Sequence, residues 1–108
     1  MKSLMNMELL SSDDLKRMEE LADLFKTLGH PYKLRIFKYL CECSYERMRV
    51  LDIYTALGAQ QATTSRHLNG LKNKGLLKRT KEDRKVYYEL NLENELVKCL
   101  SHCIMAIN

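Results

Sequence analysis

From Leu57 to Leu90 the chain reads LGAQQATTSRHLNGLKNKGLLKRTKEDRKVYYEL, and few folds accommodate that stretch. Gly58-Ala59 is a turn signal. It precedes a segment, Gln61 to Lys74, in which Thr64, Leu68 and Leu71 recur at helical spacing. Gly75 is the expected C-cap, because glycine enters the left-handed region without steric cost. Two runs rich in apolar and aromatic residues follow, Leu76 to Thr80 and Lys85 to Leu90, with the charged Lys81 to Arg84 between them as a hairpin tip. A turn, a helix and a hairpin in that order predict a helix-turn-helix followed by a β-wing. The positive charge is concentrated here as well. Gln60 to Tyr88 holds eight Lys/Arg against two acids, a local +6 in a chain whose total is +4. A basic head on a slightly acidic remainder points to nucleic acid.

The rest of the chain is read around that head. At 108 residues it is expected to be one domain, 1–108. A domain of this size has a modest core, so dimerisation would add apolar burial. Ser11-Ser12-Asp13-Asp14 starts a helix with a capping hydroxyl and acids suited to the positive end of the dipole. Leu15, Met18, Leu21, Ala22, Leu24, Phe25 and Leu28 then give it a wide apolar face. Gly29-His30-Pro31 ends this helix and begins the next, in which Leu34, Ile36, Phe37 and Leu40 are expected to be buried. His30 reads as structural. Residues 41–49 lack periodicity and read as a helix end plus a connection. Val50 to Leu57 is a short third helix, and Asn91 to Asn94 leads into a last helix carrying Leu96, Val97, Leu100, Ile104 and Ile107. The expected fold class is mainly α with a small β-hairpin, in the order α-α-α-α-β-β-α. Residues 1–11 are expected to form a flexible lead.

No apolar run approaches the roughly 20 residues that span a bilayer, so no membrane partner is expected. The N-terminus has no signal-peptide pattern, which predicts a cytoplasmic protein. In that reducing compartment Cys41, Cys43, Cys99 and Cys103 need not form structural disulfides. The sequence holds no phosphate-binding glycine loop, no paired-carboxylate signature and no nucleophile with a recognisable base, so an enzyme is not expected.

The segments LFKTLGHPYKLRIFKYL (Leu24 to Leu40), TALGAQQATTSRHLNGLKNKGLL (Thr55 to Leu77) and VYYEL (Val86 to Leu90) resemble the ArsR/SmtB family of small bacterial transcriptional regulators. The resemblance covers roughly residues 20 to 90, with its elements in the family order. It implies a winged helix-turn-helix homodimer held together by its first and last helices, here 12–28 and 94–107. It implies a repressor bound to an imperfect palindrome in operator DNA and released by an inducer, most often a metal ion, a metalloid or a thiol oxidant. DNA binding itself would need no cofactor.

The reading head has a physical logic of its own. A helix N-terminus in the major groove presents short polar side chains to base edges. Those side chains are Gln60, Gln61, Thr63, Ser65 and Arg66, of which glutamine can pair with adenine and arginine with guanine. Asn69 and Lys72 lie further along and suit the backbone. Lys81, Arg84 and Lys85 on the wing suit phosphates or the minor groove, contacts that position without specifying sequence. His67 is expected to pack beside Leu68 and Leu71, and one of Tyr87 and Tyr88 to be core. Relatives commonly have glycine at the wing tip, where this chain has Glu82-Asp83-Arg84. Asp83 tolerates a left-handed turn, but two acids there would repel phosphate.

The sensing sites that the resemblance implies are absent from their usual places. The metalloid motif Cys-Val-Cys would fall where Arg49 and Leu51 stand, and the zinc motif's early histidine is missing from Asn91 to Glu95. The cysteine pair of persulfide sensors would fall at Lys38 and Ile107, with Cys41 and Cys103 each one turn away. Cys99, His102 and Cys103 share one face of the last helix at i, i+3, i+4 spacing, a plausible set for a soft metal or metalloid. Cys41-Glu42-Cys43 is a second thiol pair. All four cysteines read equally as small packing hydrophobes. Two other functions remain open: a winged helix used only for protein contacts, and a regulator that senses nothing.

Overall fold

The computed structural model describes residues 11–107. Helix α1 (Ser12–Leu28) is capped by Ser11, whose hydroxyl accepts the Asp14 backbone N–H at 3.2 Å. Helix α2 (Pro31–Glu42) begins at His30, and its Nδ1 accepts the Tyr32 N–H at 3.1 Å; the structural role expected of His30 is this cap. Strand β1 (Met48–Arg49), helix α3 (Val50–Leu57), helix α4 (Gln61–Asn73), strand β2 (Leu77–Glu82), strand β3 (Lys85–Leu90) and helix α5 (Glu95–Ala106) follow. The expected helices and hairpin are present in their expected order. The expected lead, 1–11, lies outside the described residues apart from Ser11.

The sheet is antiparallel with strand order β1-β3-β2, one strand more than the hairpin alone. Strand β1 pairs Met48 with Tyr88 and Arg49 with Tyr87. Two residues cannot show alternation, and the partner strand is far off in sequence, so nothing local announces β1. The hairpin turn is also tighter than expected. Strand β2 runs through Lys81 to Glu82, which pairs with Lys85, leaving Asp83 and Arg84 alone as the turn. Both have positive φ, 52° and 70°, the type I′ geometry whose twist matches the flanking strands.

The core joins Ile36, Phe37 and Leu40 of α2, Ile53 of α3, Leu68 and Leu71 of α4, Tyr88 and Leu90 of β3, and Val97 of α5. Leu34, expected in the core, is exposed instead, because it sits on the side of α2 turned away from α3 and α4 and beside Ile104 and Ile107. Of α1, only Leu28 is buried; Leu15, Met18 and Phe25 are about half exposed, at 51%, 54% and 51%. The described chain measures 56 × 30 × 22 Å with a radius of gyration of 16.5 Å. A compact chain of this length would be near 13 Å. Helix α1 therefore presents much of its apolar face with no partner in the same chain.

Candidate nucleic-acid interface

The head is aimed by contacts at both ends of α4. Gly58, at φ 64°, closes α3 in the left-handed region, and the Ala59 N–H donates to Tyr54 O at 2.9 Å. Fully buried Thr64 then fixes the first turn of α4: its hydroxyl donates to Gln60 O at 2.9 Å. With that single proton committed, the 2.6 Å contact to Tyr32 must be a bond donated by the tyrosine hydroxyl. His67, one turn further on, packs against the rings of His30 (4.9 Å between centroids) and Tyr32 (5.2 Å). These ring contacts with α2 and its N-cap were not foreseen beside the expected Leu68 and Leu71. The side chains at i+1 and i+4 are buried toward the core, whereas His67 faces the α2 N-terminus. Burial lowers the His67 pKa, helped by the nearby charges of His30, Lys33 and Arg66.

At the far end, Gly75 (φ 79°) turns the chain into β2. Its carbonyl accepts from Asn91 Nδ2 at 2.9 Å and Asn94 Nδ2 at 3.2 Å, while Asn94 Oδ1 caps α5 by accepting the Leu96 N–H at 2.9 Å. The exit from α4 and the entry to α5 are thus one hydrogen-bonded joint. Lys74 adds a 2.6 Å bridge to Asp23 of α1, and this bridge is the main reason the Asp23 carboxyl is held below its ordinary pKa.

Between α4 and the wing lies a cleft of about 500 Å³. Gln61 and Ser65 face it from the helix, and Arg84 and Lys85 from the wing tip, so four of the expected DNA-binding residues converge on one concavity. Gln60 is the exposed N-cap of α4 and makes no side-chain capping bond; Thr63 is half-buried. Arg66, Asn69 and Lys72 are exposed along α4, and Lys81 is exposed on β2. Two lining cations were not anticipated, Arg49 and Arg79. Arg79 was legible in principle: alternation along β2 puts it on the same side as Leu77, opposite Tyr88. Arg49 was not, because its position depends on the unforeseen β1. The repulsion expected from Glu82 is also relieved. Arg47 donates to its carboxylate at 2.7 Å while the guanidinium stacks 4.1 Å above the Tyr87 ring, and this ion pair raises the Arg47 pKa further.

A helix and a wing flanking a cationic cleft are a DNA-binding arrangement, and known DNA-binding regulators share the fold that carries it. Residues 30–79 match the profile of the bacterial regulatory protein, arsR family. The transcriptional repressor PagR of Bacillus anthracis is 34% identical over 74 residues, 68% of this chain and 72% of that one. The chain belongs to the arsR family. An uncharacterized HTH-type transcriptional regulator of Methanocaldococcus jannaschii is 38% identical over 74 residues, covering 68% of this chain and 81% of its own. The crystal structure of PagR superposes with a TM-score of 0.70 at 31% identity, across 87% of this chain and 99% of that one. A homodimeric winged helix-turn-helix DNA-binding domain from Mycobacterium bovis superposes at 0.73 with 26% identity, across 90% and 85%.

In this arsR-family member the cysteines lie away from the head. Cys41 is buried in the last turn of α2, and burial is the main cause of its raised thiol pKa, partly offset by the neighbouring Ser101 hydroxyl. Cys43, the α2 C-cap, is half-buried beside Tyr39. Cys99, His102 and Cys103 are all exposed on α5. Among the described residues no three His, Cys, Asp or Glu side chains are grouped to hold a metal ion. Lys38 and Ile107 line one hollow of about 220 Å³ with Leu34, Arg35 and Ile104. Among the described residues no helix is long and apolar enough to cross a membrane.

Proposed function

We propose that this arsR-family regulator is a homodimeric repressor that binds operator DNA through α4 and the wing and is released by oxidation of its α5 cysteines. The observation that carries the DNA-binding reading is the cationic cleft joining Gln61 and Ser65 to Arg84 and Lys85. Each subunit lays the N-terminal half of α4 in a major groove, with Gln60, Gln61, Thr63, Ser65 and Arg66 toward base edges. Asn69, Lys72 and Lys81 contact the backbone. A two-fold dimer places its half-sites about 34 Å apart and so favours an imperfect palindrome. Dimerisation through α1 and α5 is supported by the half-exposed Leu15, Met18 and Phe25 on a helix with little else to cover them. The cytosol is the compartment where such a protein meets its operator and keeps its thiols reduced.

Thiol sensing draws support from exposure. Thiolates react, and accessible thiols meet oxidant first. Within a single chain Cys99 and Cys103 are exposed one turn apart on the helix proposed for the subunit contact, whereas Cys41 is buried and its thiol is pushed toward the neutral form. A peroxide converts a thiol to a sulfenic acid and is itself reduced to water. The resulting polar group on α5 favours release only by stabilising the subunit arrangement that fits DNA poorly.

Fluorescence anisotropy with DNA from the protein's own promoter tests both parts, at fixed salt with metals chelated. Reduced protein binds tightly, and affinity falls on oxidation and returns with reductant. Arg66→Ala weakens operator binding by about tenfold, the worth of one good arginine–guanine pair, and leaves the dimer intact. Unchanged affinity in that variant removes Arg66 from the interface. Binding that ignores oxidation assigns the cysteines to packing or to metal loading. An absence of steeply salt-dependent DNA binding would favour a protein-contact module instead.

A further inference from the structure

Arg79 stands in the cleft with nothing to hold. Its neighbour Lys78, on the other side of β2, pairs with Glu93 at 3.1 Å, and Glu82 is drawn off by Arg47 at 2.7 Å. Among the described residues the Arg79 guanidinium makes no ion pair and no side-chain hydrogen bond. Four cations line the cleft (Arg49, Arg79, Arg84 and Lys85) and no acid does. Beside Gln61 and Ser65 of α4, its remaining lining is largely apolar, formed in part by Val86, Tyr88 and the 45% exposed Leu51. A guanidinium offers five donors in a planar fork that matches a phosphate bidentately, and the apolar wall suits the C–H faces of a sugar.

We propose that this cleft seats the DNA backbone itself, with Arg79 as a phosphate-binding residue. The strand it holds runs between the major groove occupied by α4 and the adjacent minor groove approached by the Asp83-Arg84 turn. Arg79 grips one phosphate from the sheet, Arg49 faces it from the β1–α3 junction, and Leu51 covers the adjoining deoxyribose. This rests on the DNA-binding reading above and gives the wing a second task. The hairpin brings its tip to DNA, and it also forms one wall of a slot in which α4 is the other. Because the slot recognises backbone, Arg79 sets affinity and register, while sequence choice is left to the α4 side chains.

The test combines variants with single methylphosphonate substitutions, which each remove one phosphate charge, stepped through the operator half-site. Wild-type protein is expected to lose about tenfold in affinity at one phosphate position, the scale of a hydrogen bond to a charged group. Arg79→Ala is expected to bind about tenfold more weakly to operator and unrelated duplex alike, and to be indifferent to that methylphosphonate. Its plot of log affinity against log salt is expected to be shallower by about 0.9, one neutralised phosphate. Arg79→Lys keeps the charge, so it retains the slope with an intermediate affinity. A folded Arg79→Ala with wild-type affinity and slope overturns the assignment. A loss confined to operator sequence also overturns it, because Arg79 would then read bases. Inorganic phosphate that competes as well on Arg79→Ala as on wild type places any simple anion site elsewhere and counts against the cleft. Wild-type protein that binds no duplex at all sinks the underlying DNA-binding reading together with this one, a result distinct from failure of the variant alone.

Discussion

Arg84 shows how one residue serves two masters. At φ 70° it occupies a left-handed position that glycine would fill without strain, and a side chain there costs about 1–2 kcal/mol. The other turn residue, Asp83 at φ 52°, belongs to a type that tolerates the region better. Arg84→Gly should therefore stabilise the wing by about 0.5–1 kcal/mol, once the greater freedom of glycine in the unfolded chain is deducted. The same change should weaken DNA binding, because it removes a cation from the cleft. Thermal unfolding and anisotropy measured on one preparation separate the two effects. A variant that is more stable and binds DNA as well as wild type would leave the strain at Arg84 without a functional reason. From sequence the left-handed turn falls on Asp83 alone; Arg84 looks like any charged loop residue until the register Glu82–Lys85 leaves it in a two-residue turn.

Among the elements, α4 is held against α2 by a polar contact and a cluster of rings. Tyr32 donates to Thr64, and His67 lies against His30 and Tyr32. Because the folded state lowers the His67 pKa below the ordinary 6.5, the unfolded chain takes up that proton first as the pH falls. His67 contributes full stability above about pH 6.5, and this is lost as the pH drops from there through the lowered folded value. Chemical denaturation followed across that window should show wild-type stability declining more steeply than that of His67→Gln. Equal slopes would mean that the histidine is hydrated well enough to charge in place. Helical spacing revealed α4 and its buried stripe of Thr64, Leu68 and Leu71 directly from sequence. It could not reveal where His67 points, since i+3 from Thr64 is compatible with several neighbours and only the approach of α2 selects one.

For the whole molecule, the half-exposed apolar face of α1 is the feature that points to a second subunit. A face carrying Leu15, Met18 and Phe25 at about half exposure, on a chain 56 Å long, matches a surface that another subunit would bury. Phe25→Glu puts a charge into that face without touching the head. Analytical ultracentrifugation should find the variant shifted to monomer at concentrations where wild type is dimeric. Its operator affinity should fall by more than tenfold, because two half-sites are then engaged independently. A dimeric Phe25→Glu would move the subunit contact to other surfaces.

What the sequence determined by itself is whatever repeats within a few residues of itself. Helices α1 to α5 follow from apolar spacing, their ends from Ser11, Pro31 and Gly75, the hairpin from two aromatic-rich runs, and the basic head from local charge. What only the tertiary structure decided depends on residues distant in the chain. Strand β1 exists because Met48 and Arg49 meet Tyr88 and Tyr87, and Glu82 is neutralised because Arg47 arrives with that strand. Arg49 and Arg79 share a cleft because the sheet folds back beside α4. The exposed cysteines Cys99 and Cys103 and the buried Cys41 are chemically alike in the sequence, and only packing against α2 and α5 tells them apart. The division has one physical cause: a periodicity is written in neighbouring residues, whereas a register, a desolvated thiol or an unpaired guanidinium is created by the surfaces that long-range folding brings together.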